Sequence, residues 1–299
     1  MPLIDCKNLK KLKQFQGPLS YFLDLESELL EKVKIYNNEI KEELEVKMLE
    51  KILSIKTLKE VQFKLYHLED NVIKKIKGEN ESILVLTIIL EIQNDEYNFL
   101  YLLDKFPNLT DIFIYSLSFF GNESINLEIK ENPKCKINKI TILCSTQHNA
   151  KIKLFCQSYE KLYSLCIFYS YTIENYKNVL PIFNAGNKII FNTLYFLNIE
   201  SNSSSEIDFD ILENLYDNIE NIPNLKVLRL NCNFKNINEE FYHKFINKIL
   251  KLQLTYIYIC VDWTNNNQNI EYTFDELKSI CKDINKYYYF KNIHIMKLN

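Results

Sequence analysis

Glycine and proline are scarce in this sequence, which has 4 Gly and 6 Pro among 299 residues. Because these two residue types build most tight turns, their scarcity argues against a loop-rich enzyme and against a tightly turned β-sandwich. The glycines are also isolated from one another, at Gly17, Gly78, Gly121 and Gly186. They therefore form no glycine-rich loop for binding phosphate.

An excess of charge of one sign and a long apolar run are missing as well. The 36 basic and 39 acidic residues leave a formal net charge of −3, which disfavours nucleic acid as the main partner. The longest apolar run, residues 83–90, is much shorter than the roughly 20 residues that span a bilayer, so we expect no membrane span. Residues 1–17 hold no apolar core of a signal peptide, and we therefore expect a cytoplasmic protein.

The 8 cysteines and 4 histidines show no spacing that is typical of a metal site. No Cys-X-X-Cys pair and no His-Glu-X-X-His motif occurs in the chain. We therefore expect reduced thiols in a reducing compartment, no metal and no cofactor.

What the sequence does contain is a recurring spacing of apolar residues. One apolar residue is followed by two residues of any type, a second apolar residue, one residue of any type and a third apolar residue. We call the first of these position one, so the apolar residues fill positions one, four and six. Ten copies begin 25 to 36 residues apart, which predicts a repeat protein. The copies are Leu30-Val33-Ile35, Leu58-Val61-Phe63, Ile83-Leu86-Ile88, Leu109-Ile112-Ile114, Ile137-Ile140-Ile142, Leu162-Leu165-Ile167, Leu194-Leu197-Ile199, Leu225-Leu228-Leu230, Leu254-Ile257-Ile259 and Phe290-Ile293-Ile295.

Several segments between the triplets carry apolar residues at helical spacing. The pattern predicts helices over residues 40–55, 209–222, 237–252 and 274–287. Each unit is therefore predicted to be a short strand, a turn, a helix and a return segment. Residues 1–29 precede the ten copies and are expected to hold a degenerate first repeat, in which Leu9 and Leu12 take positions one and four and Gln14 falls at position six.

The stretch PNLKVLRLNCN, residues 223–233, resembles the leucine-rich repeat, whose signature is L-x-x-L-x-L-x-x-N/C-x-L. Leu225, Leu228 and Leu230 match the leucine positions, and Asn233 matches the asparagine that bonds backbone in the turn. The long, helix-bearing units are most similar to the ribonuclease-inhibitor and F-box-associated types. The resemblance implies an α/β fold, a right-handed solenoid shaped as a horseshoe or an arc, with parallel strands on the concave face and helices on the convex face. Residues 30–299 would then form a single solenoid domain of about ten repeats.

Positions three, five and seven alternate with the apolar positions along each strand, so we expect their side chains on the concave face. Aromatic side chains beside arginine are typical of protein interfaces. The binding candidates on this face are Phe113, Tyr115, Phe168, Phe196, Arg229, Tyr256 and Tyr258. An alternative explanation is that aromatics are simply common in a chain with 20 Tyr and 19 Phe, and that the side chains of a strongly curved face pack on one another.

These features favour a non-catalytic scaffold that binds a protein partner through the concave face. One alternative is a substrate-recognition or regulatory subunit of a larger complex, of the ubiquitin-ligase or GTPase-regulator type, by analogy of fold alone. A remote alternative is an enzyme in which Cys260 and His294, one repeat apart, form a thiol–imidazole pair. The last strand, within residues 290–298, is also expected to offer an open edge for association with another chain.

Overall fold

The structure is a computed structural model that describes residues 9–36, 41–66, 70–90, 99–116, 136–144, 162–169, 193–201, 206–207, 209–234, 239–252, 254–262 and 292–297. The chain divides into two compact units, Met1–Lys161 and Leu162–Asn299. Both units are built from parallel strands with short helices, as expected for an α/β repeat protein. The single solenoid domain expected for residues 30–299 stays a prediction.

The first unit holds a parallel sheet in which the strands follow one another in chain order. Its strands are β1 (Gln14–Pro18), β2 (Lys32–Tyr36), β3 (Glu60–Leu65), β4 (Val85–Leu90), β5 (Asp111–Ser116) and β6 (Lys139–Cys144). Its helices in the described residues are α1 (Leu19–Asp24), α2 (Glu42–Ser54), α3 (Asp70–Lys75) and α4 (Phe99–Leu103).

The second unit repeats this arrangement with one addition. Its strands are β7 (Ser164–Tyr169), β8 (Phe196–Ser201), β9 (Glu206–Ile207), β10 (Val227–Phe234), β11 (Tyr256–Asp262) and β12 (Asn292–Lys297). Its helices in the described residues are α5 (Phe209–Asn218), a 3₁₀ turn (Ile219–Asn221) and α6 (Glu239–Leu250). The main sheet runs in the order β7, β8, β10, β11, β12, while the short β9 pairs with the end of β10 at Asn233 and Phe234. Asn233, expected to support a turn, therefore lies inside a strand, because both β9 and β11 pair with β10 past position seven.

The register of the strands confirms the repeat spacing, because paired strands meet at the same repeat position. In the first unit Lys32 lies opposite Glu60, and both stand at position three. In the second unit Val227 lies opposite Tyr256, again at position three. The insertions that vary the repeat length therefore fall between the strands and leave the ladder in register.

Positions one, four and six form the core of both units. In the eight triplets from Leu30 to Leu230, every one of these side chains is at most 7% exposed. Each side chain buried in this way contributes roughly 1.5–3 kcal/mol through the apolar surface removed from water. The ninth triplet begins with the buried Leu254, and the other side chains of the last two triplets lie outside those that the structure describes.

Three of the four predicted helices are confirmed, as α2, α5 and α6. In α2, Met48, Leu49, Ile52 and Leu53 recur at helical spacing and are buried. Acidic residues occupy its first turn, where they interact favourably with the positive end of the helix dipole. The fourth predicted helix, residues 274–287, lies outside the described residues.

The first repeat begins three residues later than the sequence suggested. β1 pairs with β2 so that Gln14 lies opposite Lys32, which places Gln14 at position three and Leu12 at position one. Position six is then Gly17, whose side of the strand is covered by the ring of Phe15, only 3.1 Å from where a Cβ would stand. The apolar triplet is therefore interrupted at position six, because the neighbouring ring fills that space.

Lysine and asparagine side chains bind the carbonyl groups where one repeat turns into the next. The Nζ of Lys51 donates hydrogen bonds to the carbonyls of Leu23 (2.7 Å) and Leu25 (2.6 Å), at the end of α1. Burial lowers the pKa of Lys51 below its ordinary value, although the carboxylates of Asp24 and Glu26 act in the opposite direction. These bonds join the first helix to the second.

Asn80 has the same role with more bonds. Its side chain is fully buried, and its Nδ2 donates to the carbonyls of Ile52 (2.9 Å) and Ile55 (2.8 Å) at the end of α2. Its Oδ1 accepts from the backbone N–H (3.1 Å) and the hydroxyl (2.5 Å) of Ser82. Both polar atoms of this amide are therefore satisfied within the protein.

Candidate functional site

Side chains at positions three, five and seven point away from the core, and we call the surface they make in each unit its outward face. The described members of this face are mostly half-buried rather than fully exposed. Four of them are buried: Thr141, Ser164, Cys166 and Asn198. Neighbouring side chains of the face therefore cover one another, as the alternative explanation of its aromatic content expected.

The outward face of the first unit begins with basic and aromatic side chains. The ammonium group of Lys32 forms an ion pair with Glu60 at 2.6 Å. The ammonium group of Lys34 lies 5.5 Å from the centre of the Tyr36 ring, a cation–π contact. Tyr36 is exposed, and its hydroxyl also accepts a hydrogen bond from Gln16. This end of the face is basic, with part of its charge neutralised locally.

Phe113 and Tyr115, two of the predicted binding residues, lie on β5 in the same unit. Both are half-buried. The ammonium group of Lys139 lies 5.5 Å from the Phe113 ring and 3.6 Å from a carboxylate oxygen of Asp111. Phe113 is therefore partly covered by a neighbouring repeat, which leaves less of its ring for a partner.

The second unit gathers Phe168, Phe196, Arg229 and Tyr256 on four strands that lie side by side. The strands β7, β8, β10 and β11 pair in that order, and all four side chains are half-buried. Tyr258 stands opposite Arg229 in the ladder, at position five, and its side chain lies outside those that the structure describes. Predicted binding residues thus occupy one continuous stretch of the second sheet.

An ion pair that the sequence reasoning did not single out lies within this stretch. The guanidinium of Arg229 and the carboxylate of Glu200 are 3.0 Å apart, with side chains 43% and 18% exposed. The Nδ2 of Asn198 donates to the same carboxylate oxygen at 3.3 Å. Glu200 could have been found from the sequence, because positions seven and five of adjacent strands are close enough for opposite charges to meet.

A pair of stacked tyrosines marks the rim of the second sheet, at position two. The rings of Tyr163 and Tyr195 lie 4.9 Å apart and almost parallel, at 8°. Tyr163 is 50% exposed. These rings stand before the strands begin, outside the outward face, and so provide a matched control for aromatic substitutions on it.

The remote enzyme hypothesis rests on Cys260 and His294. Cys260 on β11 and His294 on β12 lie on adjacent strands but are not paired with each other. In the ladder Tyr258 pairs with His294 and Cys260 pairs with Met296, so the two residues are offset by two positions. Their side chains lie outside those that the structure describes, and a catalytic pair there stays a prediction.

Within the described residues, no group of three or more His, Cys, Asp or Glu side chains is arranged to hold a metal ion. In the same part of the chain, no helix is long and apolar enough to cross a membrane.

Comparison of the sequence with protein-family models finds no match, and comparison with curated proteins also finds none. The description of the chain as a protein of stacked strand repeats therefore depends on its own residues, through the buried triplets and the in-register strands.

Proposed function

We propose that this chain is a non-catalytic protein-interaction scaffold that binds a protein partner on its outward face. We assign its units to the leucine-rich-repeat class, as a right-handed solenoid. The triplet spacing, the in-register parallel strands and the match of residues 223–233 to the signature support that assignment.

The observation that carries the function is the continuous stretch of the second unit. Phe168, Phe196 and Tyr256 offer half-buried aromatic surface on strands that lie side by side, and Arg229 lies between them in an ion pair with Glu200. Tyrosine, phenylalanine and arginine are enriched at the centres of protein interfaces, where they contribute most of the binding energy. A partner that covers this stretch would contact its aromatic side chains, and the charges of Arg229 and Glu200 beside them neutralise each other.

We also propose a reducing, cytoplasmic location. None of the 8 cysteines forms a Cys-X-X-Cys pair or another close metal-binding pair, and Cys166 on β7 is buried. Buried or half-buried cysteines without such spacing are typical of proteins from reducing compartments. Association through the edge of β12 stays a prediction, and sedimentation at high micromolar concentration tests it, since a strictly monomeric chain would contradict it.

Affinity capture tests the proposed function. Wild type is compared with a triple variant, Phe168→Ala, Phe196→Ala and Tyr258→Ala, that keeps the circular dichroism spectrum of the wild type. The control is Tyr163→Ala, which removes an exposed aromatic ring outside the outward face. We expect the triple variant to lose partners that both wild type and control retain. Recovery of identical partners by all three proteins would contradict the proposal.

A further inference from the structure

Asn198 occupies the centre of the outward face of the second unit. It stands at position five of β8, opposite Cys166 on β7 and Arg229 on β10. On its own strand, position three is Phe196 and position seven is Glu200. Because its neighbours Leu197 and Ile199 are buried in the core, strand alternation directs Asn198 to the outward face.

The amide of Asn198 has one satisfied atom and one unsatisfied atom. Its Nδ2 donates to Glu200 Oε1, which also accepts from Arg229. A carboxylate only accepts hydrogen bonds, so the amide nitrogen must face Glu200 and the Oδ1 must point away from it. The side chain is only 4% exposed, and Oδ1 accepts no hydrogen bond from any residue that the structure describes.

A buried acceptor in this state is unfavourable, and such groups in native proteins call for a specific explanation. The backbone N–H groups of β7, β8 and β10 are committed to the parallel ladder around Asn198. Asn80, by contrast, has both amide atoms satisfied by its own chain. The unsatisfied Oδ1 of Asn198 therefore points to a hydrogen-bond donor that a partner supplies.

The surroundings restrict the chemistry of that donor. Arg229 and Glu200 neutralise each other beside the amide, so the site has no net charge from this pair. The nearby side chains Phe168 and Phe196 add aromatic surface. A carboxylate or a phosphate ester would bring no donor, and a cation would meet the guanidinium of Arg229. A neutral N–H group, as in a peptide bond, satisfies Oδ1 without an unpaired charge.

The width of the aromatic surface fits a short length of extended chain. Three strand spacings separate β7 from β11, or about 14 Å at the usual distance between strands. An extended peptide covers that distance with about four residues. Phe168 on β7 and Tyr256 on β11 stand at the two ends of this width, with Asn198 between them.

We propose that the outward face of the second unit binds an extended, uncharged peptide segment of a partner protein, which crosses β7, β8, β10 and β11. The Oδ1 of Asn198 accepts one main-chain N–H of this segment, and side chains flanking that N–H pack against Phe168 and Phe196. This inference rests on the proposed function and adds to it the chemistry of the bound segment.

The test selects binders from a phage-displayed library of random dodecapeptides on the full wild-type chain. A selected peptide is then resynthesised with each main-chain N–H methylated in turn. Binding to wild type and to Asn198→Leu, a substitution of similar size without an acceptor, is measured by fluorescence anisotropy. We expect one methylation to weaken binding to wild type about tenfold, and the same methylation to change nothing with Asn198→Leu. If no methylated N–H is coupled to Asn198 in this way, the inference is wrong.

A second readout concerns the free protein. Asn198→Leu removes an unsatisfied buried acceptor and the single 3.3 Å bond from Nδ2 to Glu200, whose carboxylate keeps its ion pair with Arg229. We therefore expect a melting temperature no more than about 4 °C below that of wild type. A larger fall would mean that Oδ1 has a structural partner within the chain, which would overturn the inference. Asn198→Ala, which adds no bulk to the face, repeats both measurements.

The outcomes separate this inference from the proposed function. If Phe168→Ala and Phe196→Ala abolish peptide binding while Asn198→Leu leaves it unchanged, the scaffold function stands and the role of Asn198 is wrong. If no dodecapeptide is enriched, the inference is wrong, while affinity capture still decides the scaffold function. If the phenylalanine variants bind the selected peptides as wild type does, both are wrong. Binding of a random single-stranded oligonucleotide in place of peptides, lost in Asn198→Leu, would also overturn the peptide assignment.

Discussion

Replacing Asn80 with alanine should destabilise the first unit severely, although the side chain is small and polar. The substitution removes two donated bonds to the carbonyls of Ile52 and Ile55, at 2.9 and 2.8 Å, and leaves these groups without donors at the end of α2. It also removes the acceptor for the N–H and hydroxyl of Ser82. The four bonds contribute about 0.5–1.5 kcal/mol net each, so we expect the free energy of unfolding to fall by about 2–6 kcal/mol.

Urea denaturation followed by circular dichroism measures this change. The matched control is Asn108→Ala, because Asn108 is half-buried and makes one comparable bond, from Nδ2 to the carbonyl of Glu81 at 2.9 Å. We expect the control to lose no more than about 1 kcal/mol. Equal losses for the two variants would refute the reasoning that buried, fully bonded amides hold adjacent repeats together.

Two further predictions concern the core and the buried lysine. Leu228→Ala should lower the free energy of unfolding, measured by urea denaturation, by about 2–5 kcal/mol, because the Leu228 side chain is fully buried. Val227 next to it is half-buried, so Val227→Ala should lower it by less than about 1 kcal/mol. Similar losses for the two variants would contradict the assignment of alternating faces. Burial lowers the pKa of Lys51, so the folded state gives up its proton at lower pH than the unfolded state, and stability rises with pH between the lowered pKa and 10.5. The free energy of unfolding of wild type, relative to that of Lys51→Met, should therefore rise as the pH approaches 10.5. If the difference between the two proteins does not change with pH, this prediction is wrong.

The strands and the core could be predicted from the sequence because they depend on local spacing. Alternation along a strand fixes which side chains meet the core, and a repeat that stacks on its neighbours shows the same spacing each time. The triplet from Leu225 to Leu230 is buried as predicted, and the β10 ladder pairs with both neighbours at the same repeat position.

The short helices could not be predicted in the same way. α1, α3 and α4 have only five or six residues, fewer than two turns, so no apolar stripe can repeat within them. The apolar pattern also predicts the start of the first repeat three residues too early. The reason is that Gly17 at position six carries no side chain, and the ring of Phe15 fills the space instead.

The character of the outward face depends on contacts between repeats, which no single repeat encodes. Glu200 pairs with Arg229 on the next strand, about thirty residues later in the chain, and Asn198 donates a hydrogen bond to the same carboxylate. The alternation of side chains along each strand predicts that these residues lie on the outward face. It does not predict their burial or their pairing, because both depend on how adjacent strands pack.

The affinity of a captured protein partner tests the central claim, that the outward face of the second unit binds protein, most directly. Dissociation constants are measured for wild type, Phe196→Ala and the rim control Tyr163→Ala, with the partner recovered by wild type. We expect Phe196→Ala to bind about tenfold or more weakly and Tyr163→Ala to bind within about twofold of wild type. Equal affinities for all three proteins would contradict the claim.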